Sequence, residues 1–446
     1  MEVLYSLPMT SHDKQILHIA LPAIISNITV PLLGMVDMAI IGHIGDAAYL
    51  GAIAVGSMLF NVVYWLFGFL RMGTGGLTSQ AFGRQDTSEE KRILLRSLAI
   101  AALIGFLFIL LQLPVRNLAF RLLGATPQVS HLAARYYAIC VWGAPAVLGL
   151  YSMTGWFLGM QNTRFPMFIS IIQNIVNILC SLLFVFGLKW KIEGVAWGTV
   201  IAQYIGFSLA LLFYLRGYKF LHSIKVNWQD LLDWTALQRF FVVNRDIFLR
   251  TLCLVAVTLY FTSVGARQGD LLLAVNALLM QLFTLYSYFM DGFAYAGEAI
   301  CGRYIGARQR IDFYTTIRHL FIWGGALMIL FTVIYALAGN LFITWLTDDI
   351  DVQNMATTYM PWVIGIPLAG MAAFLLDGVF IGSTATRSML ISMAVATIIF
   401  FSTYHIFSTY IANHALWMAF LLYLITRGAL LALYLPQLYN KQTSTD

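Results

Sequence analysis

LPAIISNITVPLLGMVDMAIIGHIGD, residues 21–46, is an almost unbroken apolar run that carries one carboxylate in its interior, Asp37, and two prolines, Pro22 and Pro31. A helix of about 20 residues spans the hydrocarbon core of a bilayer. Asp37 therefore sits on a membrane helix, with no Lys or Arg nearby in sequence to neutralise it. An ionised Asp at mid-helix costs roughly 2.5–3.5 kcal/mol on insertion scales, so such a group faces water, finds a partner or takes up a proton. Each proline removes a backbone donor and invites a kink. An acid on a bendable membrane helix is a candidate proton or cation switch; the plainer alternative is an Asp that only bonds a neighbouring helix.

Composition generalises that reading. The 446 residues are 60% hydrophobic and 10% charged, against about 25% charged in soluble proteins. The apolar runs are continuous, which excludes the alternating pattern of a membrane β-barrel. The first run is too long, and its leading segment too poor in basic residues, for a cleavable signal peptide. Cys140, Cys180, Cys253 and Cys301 lie in or beside apolar runs without a CxxC pair, so neither a disulfide framework nor a zinc site is indicated. The net charge of +6 is read as basic cytoplasmic loops rather than as a nucleic-acid surface.

Twelve spans follow, centred near Pro31, Val62, Gly105, Val147, Val176, Gln203, Val257, Leu285, Leu327, Gly370, Ile398 and Tyr423. Most Lys and Arg fall in the loops after even-numbered spans or at the ends, with Arg250 and Arg427 counted among them, so both termini are expected in the cytoplasm. The longest connection, residues 216–246, divides the chain into an N-lobe, 1–215, and a C-lobe, 247–446. Within it, Trp228, Leu231, Leu232 and Phe240 fall roughly on one helical face. That is the pattern of an interfacial amphipathic helix or of a short soluble one.

The halves repeat each other at a shift of 223 residues. GWFLGMQNTR from Gly155 lies over GVFIGSTATR from Gly378, and Gly42, Ala54 and Gly83 lie over Gly265, Ala277 and Gly306. A Gly-x-Pro also recurs, at Gly143–Pro145 and Gly365–Pro367. Six spans per half give a parallel repeat about an axis along the membrane normal, the architecture of rocking transporters. The expected fold is all-α and polytopic, with twelve transmembrane helices in two pseudo-symmetric six-helix lobes.

Polar groups inside the spans are the candidate site. Asn174, Asn177 and Ser181 share one face of the fifth span, and Thr199 and Gln203 lie on the sixth. Amides and hydroxyls can accept from a carboxylic acid and donate to its anion; their alternative use is interhelical bonding alone. The second half carries Asp291 and Glu298 on one face of the eighth span, Glu298 being expected near the interface, and Asp377 on the tenth. Arg250, Asn276 and Gln281 are possible partners. Asp246 and Arg250, four apart, are expected to pair with each other. Aromatic residues and Met could line a cavity for flat organic cations. No P-loop and no catalytic constellation is present, so neither direct ATP drive nor an intramembrane enzyme is supported.

The first-helix run, the repeated GxFxG…TR, NRDIFLRTL from Asn244 and DGFAYAGEA from Asp291 resemble the multidrug and toxic compound extrusion (MATE) family, in its DinF-type branch, over about His12 to Pro436. The resemblance implies a monomeric inner-membrane antiporter that exports cationic or amphipathic compounds against H⁺ or Na⁺ and needs no cofactor. It implies that Asp37 is the coupling acid, that Pro22 is where the first helix bends, and that Asn177 and Thr199 belong to the N-lobe site. Relatives carry an Asp where this chain has Ser181. Its absence favours H⁺ over Na⁺, since a hard cation wants anionic oxygen. A Na⁺-coupled antiporter and a flippase of a lipid-like substrate are the alternatives.

Overall fold

The structure, a computed structural model, describes residues 10–42, 47–123 and 127–443. Among them the chain is helical throughout. The α-helices are α1 (Ser11–Gly42), α2 (Ala47–Leu66), α3 (Phe69–Arg84), α4 (Thr87–Leu110), α5 (Gln112–Leu123), α6 (Pro127–Cys140), α7 (Ala144–Gly159) and α8 (Arg164–Leu182). They continue with α9 (Lys191–Gly217), α10 (Trp228–Leu231), α11 (Trp234–Arg267), α12 (Asp270–Gly306), α13 (Arg310–Leu346), α14 (Ile350–Gly382), α15 (Thr386–Ile411) and α16 (Asn413–Thr443). Eleven stretches are long and apolar enough to cross a membrane, with α2–α3 and α6–α7 each counting as one. The 32-residue α1, which holds Asp37, is the twelfth. It runs as helix through both Pro22 and Pro31.

The helices cluster into two compact units, one made of the chain up to Ile24 and from Phe241 on, the other of Ile25–Phe240. The division falls inside α1 and inside α11, rather than across residues 216–246 as a whole. Its cause at α1 is local. Ala20 and Ile24 press on Gly292 of α12, where a Cβ would collide with both. Asp13 Oδ1 lies 2.8 Å from His319 Nδ1 and accepts from Trp323 Nε1 at 2.9 Å, both on α13. Residues 227–241 do not form the one helix, interfacial or soluble, that the spacing suggested: α10 ends at Leu231 and α11 begins at Trp234. A separate 3₁₀ turn at Lys219–Ser223 precedes them, and Leu232 is exposed while Phe240 is buried.

The repeat is written into the backbone. Non-glycine residues with left-handed φ occur at Gln85, Gln161 and Lys189 and, 223 residues later, at Arg308, Thr384 and Ala412. The turn hydrogen bonds match too: Asn162 N donates to Phe157 O and Ala385 N to Phe380 O, both at 2.9–3.0 Å. The repeated glycines explain themselves. A Cβ on Gly155 would strike the carbonyl of Arg71 on α3, and one on Gly159 would strike Thr78 and the carbonyl of Gly75. In the second half, Gly378 and Gly382 press on the carbonyls of Ala294 and Glu298 of α12. Arg71 and Ala294, and Gly75 and Glu298, are themselves 223 apart. Glycines four apart let two membrane helices close backbone to backbone, where dispersion rather than the hydrophobic effect drives association. The Gly-x-Pro elements differ: Gly143 ends a 3₁₀ turn between α6 and α7, while Pro367 lies inside the unbroken α14.

Gly378→Val is expected to cost about 1–3 kcal/mol of stability or more, as overpacking does. Gly325→Val, at a position with nothing within 4 Å of the added Cβ, should leave the midpoint of thermal unfolding in detergent close to wild type. Equal midpoints for the two variants would remove the close-approach explanation.

Candidate functional site

In the first half the far end of α1 inserts Ile40 and Ile41 into a core with Ala52, Ile53 and Phe60 of α2, Tyr136, Tyr137 and Cys140 of α6, and Val195 and Ala196 of α9. Asp37, on the same stretch of helix, is partly buried. Its Oδ1 is fully enclosed and meets no hydrogen-bond donor among the described residues. Tyr136 and Cys140 lie within its electrostatic range, and neither is cationic. A buried carboxylate oxygen without donor or counter-ion is an expensive group to leave ionised.

The polar residues on α8 separate into two sets. Asn174 Nδ2 donates to the carbonyl of Thr29 on α1 at 3.0 Å, and the hydroxyls of Thr29 and Ser170 lie 3.0 Å apart. Asn174 therefore ties α8 to α1. One turn on, Asn177 Nδ2 donates to Thr199 Oγ1 at 3.1 Å, Ser181 Oγ donates to Asn177 Oδ1 at 3.4 Å, and Thr199 Oγ1 donates to the Val195 carbonyl at 3.0 Å. Gly198 of α9 lets this form, because a Cβ there would fall 2.6 Å from Ser181 Oγ. Just beyond Ser181, residues Leu183–Gly187 form a π-helical turn, a feature common at functional sites. None of these bonds reaches Asp37.

The second half shows what the repeat puts in the equivalent places. Tyr260, Phe400 and Tyr404 stand where the first half has Asp37, Asn177 and Ser181. The Tyr260 ring centroid lies 6.2 Å from that of Phe400 and 5.6 Å from that of Tyr404. The counterparts of the acid and of the polar pair are thus in contact, although aromatic.

The second half has its own charged centre. Asp377 of α14 is bound by both Arg250 of α11 and Arg427 of α16, all three buried. Arg427 also lies over the Phe374 ring, 5.7 Å from its centroid, and Asp291 is within its electrostatic range. This corrects two expectations. Arg250, named above both as a possible partner of the C-lobe acids and as the pair of Asp246, binds Asp377, while Asp246 takes Arg245 at 2.9 Å and the Thr386 hydroxyl at 3.3 Å. Arg427 is not a loop charge but 4% exposed inside the unit. Its sequence signal was an ionisable residue within an apolar run, the same signal that singled out Asp37. Glu298, expected near the interface, is fully buried. Asn276 joins Asn413 and Trp417 rather than an acid. The first-half counterparts of Arg250, Asp377 and Arg427 are Asn27, Thr154 and Tyr204, so each half keeps a polar centre that the other lacks. Among the described residues no three His, Cys, Asp or Glu side chains converge as metal ligands would.

Twelve apolar helices in two parallel six-helix repeats, with ionisable groups buried inside them, define a secondary transporter rather than an enzyme. The chain matches the MatE family model twice, over residues 22–183 and 247–411, and it belongs to the MATE family of multidrug and toxic compound efflux transporters. It is 40% identical to DNA damage-inducible protein F of Escherichia coli over 95% of this chain and 92% of that one. It is 26% identical to Protein DETOXIFICATION 44, chloroplastic, of Arabidopsis thaliana over 82% and 71%. A crystal structure of MATE in the straight conformation superposes with a TM-score of 0.87, covering 98% of both chains at 16% identity. A variant of the Vibrio cholerae MATE transporter VcmN does so at 0.86, again with 98% of both chains and 18% identity. The fold is that of a MATE transporter.

Arg427→Gln is expected to cost about 3–5 kcal/mol, because it strips a buried ion cluster of one partner. The double variant with Asp377→Asn should lose clearly less than the two single losses added together. Strict additivity in chemical unfolding would mean that the residues do not act as one cluster.

Proposed function

We propose that this chain exports cationic or amphipathic compounds by antiport against protons, with Asp37 as the proton carrier. The observation that carries the reading is the enclosed, unpartnered Oδ1 of Asp37. Among the described residues no cation pairs with this carboxyl, so a proton is the simplest way to remove its charge. When the acid faces water it can ionise; when it is enclosed the neutral form is favoured, and alternation between these environments moves protons. The contact of Tyr260 with Phe400 and Tyr404 supports the same conclusion, since the repeat then directs Asp37 towards the face of α8 that carries Asn177 and Ser181. Thr199 holds Asn177 in place, and Asn174 positions α8 against α1. Pro22, which lacks a backbone donor, is the point at which α1 gives way when Asp37 changes charge.

Ser181 in place of a second acid leaves too little anionic oxygen for a Na⁺ site beside Asp37, which favours H⁺. Asp377 is compensated by two guanidinium groups, and we assign it and Asp291 to the internal balance of the C-lobe rather than to coupling. The protein acts as a monomer in the inner membrane, surrounded by lipid, with both termini in the cytoplasm and no nucleic-acid partner. Lipid-like substrates are the second reading, favoured by the two buried arginines, Arg250 and Arg427.

Purified protein in liposomes should accumulate ethidium when a pH gradient is imposed, and Asp37→Asn should abolish that accumulation while leaving the protein folded. Uptake driven only by a Na⁺ gradient would overturn proton coupling, and full pH-driven uptake in Asp37→Asn would overturn the role of Asp37. Absence of uptake under either gradient moves the assignment to a lipid-like substrate.

A further inference from the structure

Glu90, in the first turn of α4, is 2% exposed. Its Oε2 is enclosed and meets no hydrogen-bond donor among the described residues. The cations next to it in the sequence are engaged elsewhere. Lys91 Nζ donates to the carbonyls of Leu221 at 3.0 Å and Ile224 at 2.8 Å. Arg92 faces Glu89 and Asp230. Arg96 donates to Glu89 at 2.8 Å and to the carbonyls of Asp230 and Leu231 at 2.6 and 3.2 Å. Asp86, which caps α4 by accepting from Glu89 N at 3.0 Å, adds a further negative charge in range of Glu90. The indole of Trp156 donates to the backbone carbonyl of Glu90, at 2.8 Å.

The repeat shows that packing does not call for an acid here. The counterpart of Glu90 is Phe313, a fully buried ring. The segment that leaves α9 is fastened to this same end of α4. Tyr218, in electrostatic range of Glu90, stacks edge-on against Trp156 at 4.7 Å. Leu221 is fully buried in the same cluster, with Leu94 of α4. The clasp that fastens this segment to α4 is Lys91 and Arg96, acting on its carbonyl oxygens.

We propose that Glu90 is a second proton-binding group of this transporter, and that residues 218–231 are the lid over it. With the lid down, the carboxyl carries its proton, since an enclosed carboxylate with neither donor nor free cation is unfavourable. With the lid raised, water reaches Glu90, its O–H bond breaks, the proton passes to water and the carboxylate remains. Lid position and protonation are thereby linked, and neither depends on what Asp37 does.

The test uses the full-length protein in lipid nanodiscs. Amide hydrogen exchange of residues 218–231, corrected for the intrinsic pH dependence of exchange, is followed together with the infrared carbonyl band of protonated carboxylic acids. In wild type, lid exchange is expected to rise with pH as one such band disappears. Glu90→Gln, nearly isosteric and permanently neutral, should lack that band and keep the lid protected at every pH. Lys91→Met, which opens the clasp, should move the loss of the band to lower pH. Asp37→Asn should remove a different band and leave the lid profile unchanged, which separates failure here from failure of the coupling assignment. An intact set of bands in Glu90→Gln, a lid profile in that variant that follows wild type, or no shift in Lys91→Met would each overturn the proposal.

Discussion

A charge inside a bilayer must be hydrated, paired or neutralised, and the interior of this protein is arranged around the different ways of meeting that requirement. Asp377 is paired, and doubly so, by Arg250 and Arg427 from two other helices. Asp246 is paired by its neighbour Arg245 and by Thr386. Among the described residues, Asp37 and Glu90 each keep an enclosed oxygen without a donor. The first solution locks helices together, because removing any member strands a charge. The second leaves a group whose charge state can change, which is what a proton-driven machine needs.

The repeat gives these choices their meaning. A shift of 223 residues reproduces helix turns, left-handed residues and glycine contacts almost atom for atom, from Gln85 and Arg308 to Gly159 and Gly382. It does not reproduce several of the buried charges. Asp37 corresponds to Tyr260, Glu90 to Phe313, and Arg427 to Tyr204. Since Phe313 fills its position as a fully buried uncharged ring, the scaffold does not demand an ionisable residue at that place. Its presence in one half and not the other marks the work of that half.

Where the sequence could be read, it was read through period and spacing. Continuous apolar runs require helices in a bilayer, because no other backbone arrangement short of a closed barrel satisfies its own polar groups there. The twelve spans and the two-fold repeat follow from that and from the glycine spacing. Asp37 stood out because nothing near it in sequence could neutralise it. The shared face of Asn174, Asn177 and Ser181 was legible as well, since i, i+3 and i+7 fall together on any α-helix. Their division into a strut to Thr29 and a network with Thr199 was not.

The sequence by itself determined the helices, their number, their repeat and the presence of an acid that a membrane would not tolerate unaided. All of these depend on interactions within a segment or on the thickness of the bilayer. The tertiary structure decided which charges were satisfied. Arg427 looked like a loop residue and Arg250 like the partner of Asp246, and nothing in the sequence singled out Glu90. Each was placed by groups far along the chain: Asp377 is 127 residues from Arg250, and the carbonyls that occupy Lys91 are 130 and 133 residues away. Periodicity states which way a side chain points on its own helix, but its charge partner is set by which helices pack beside it.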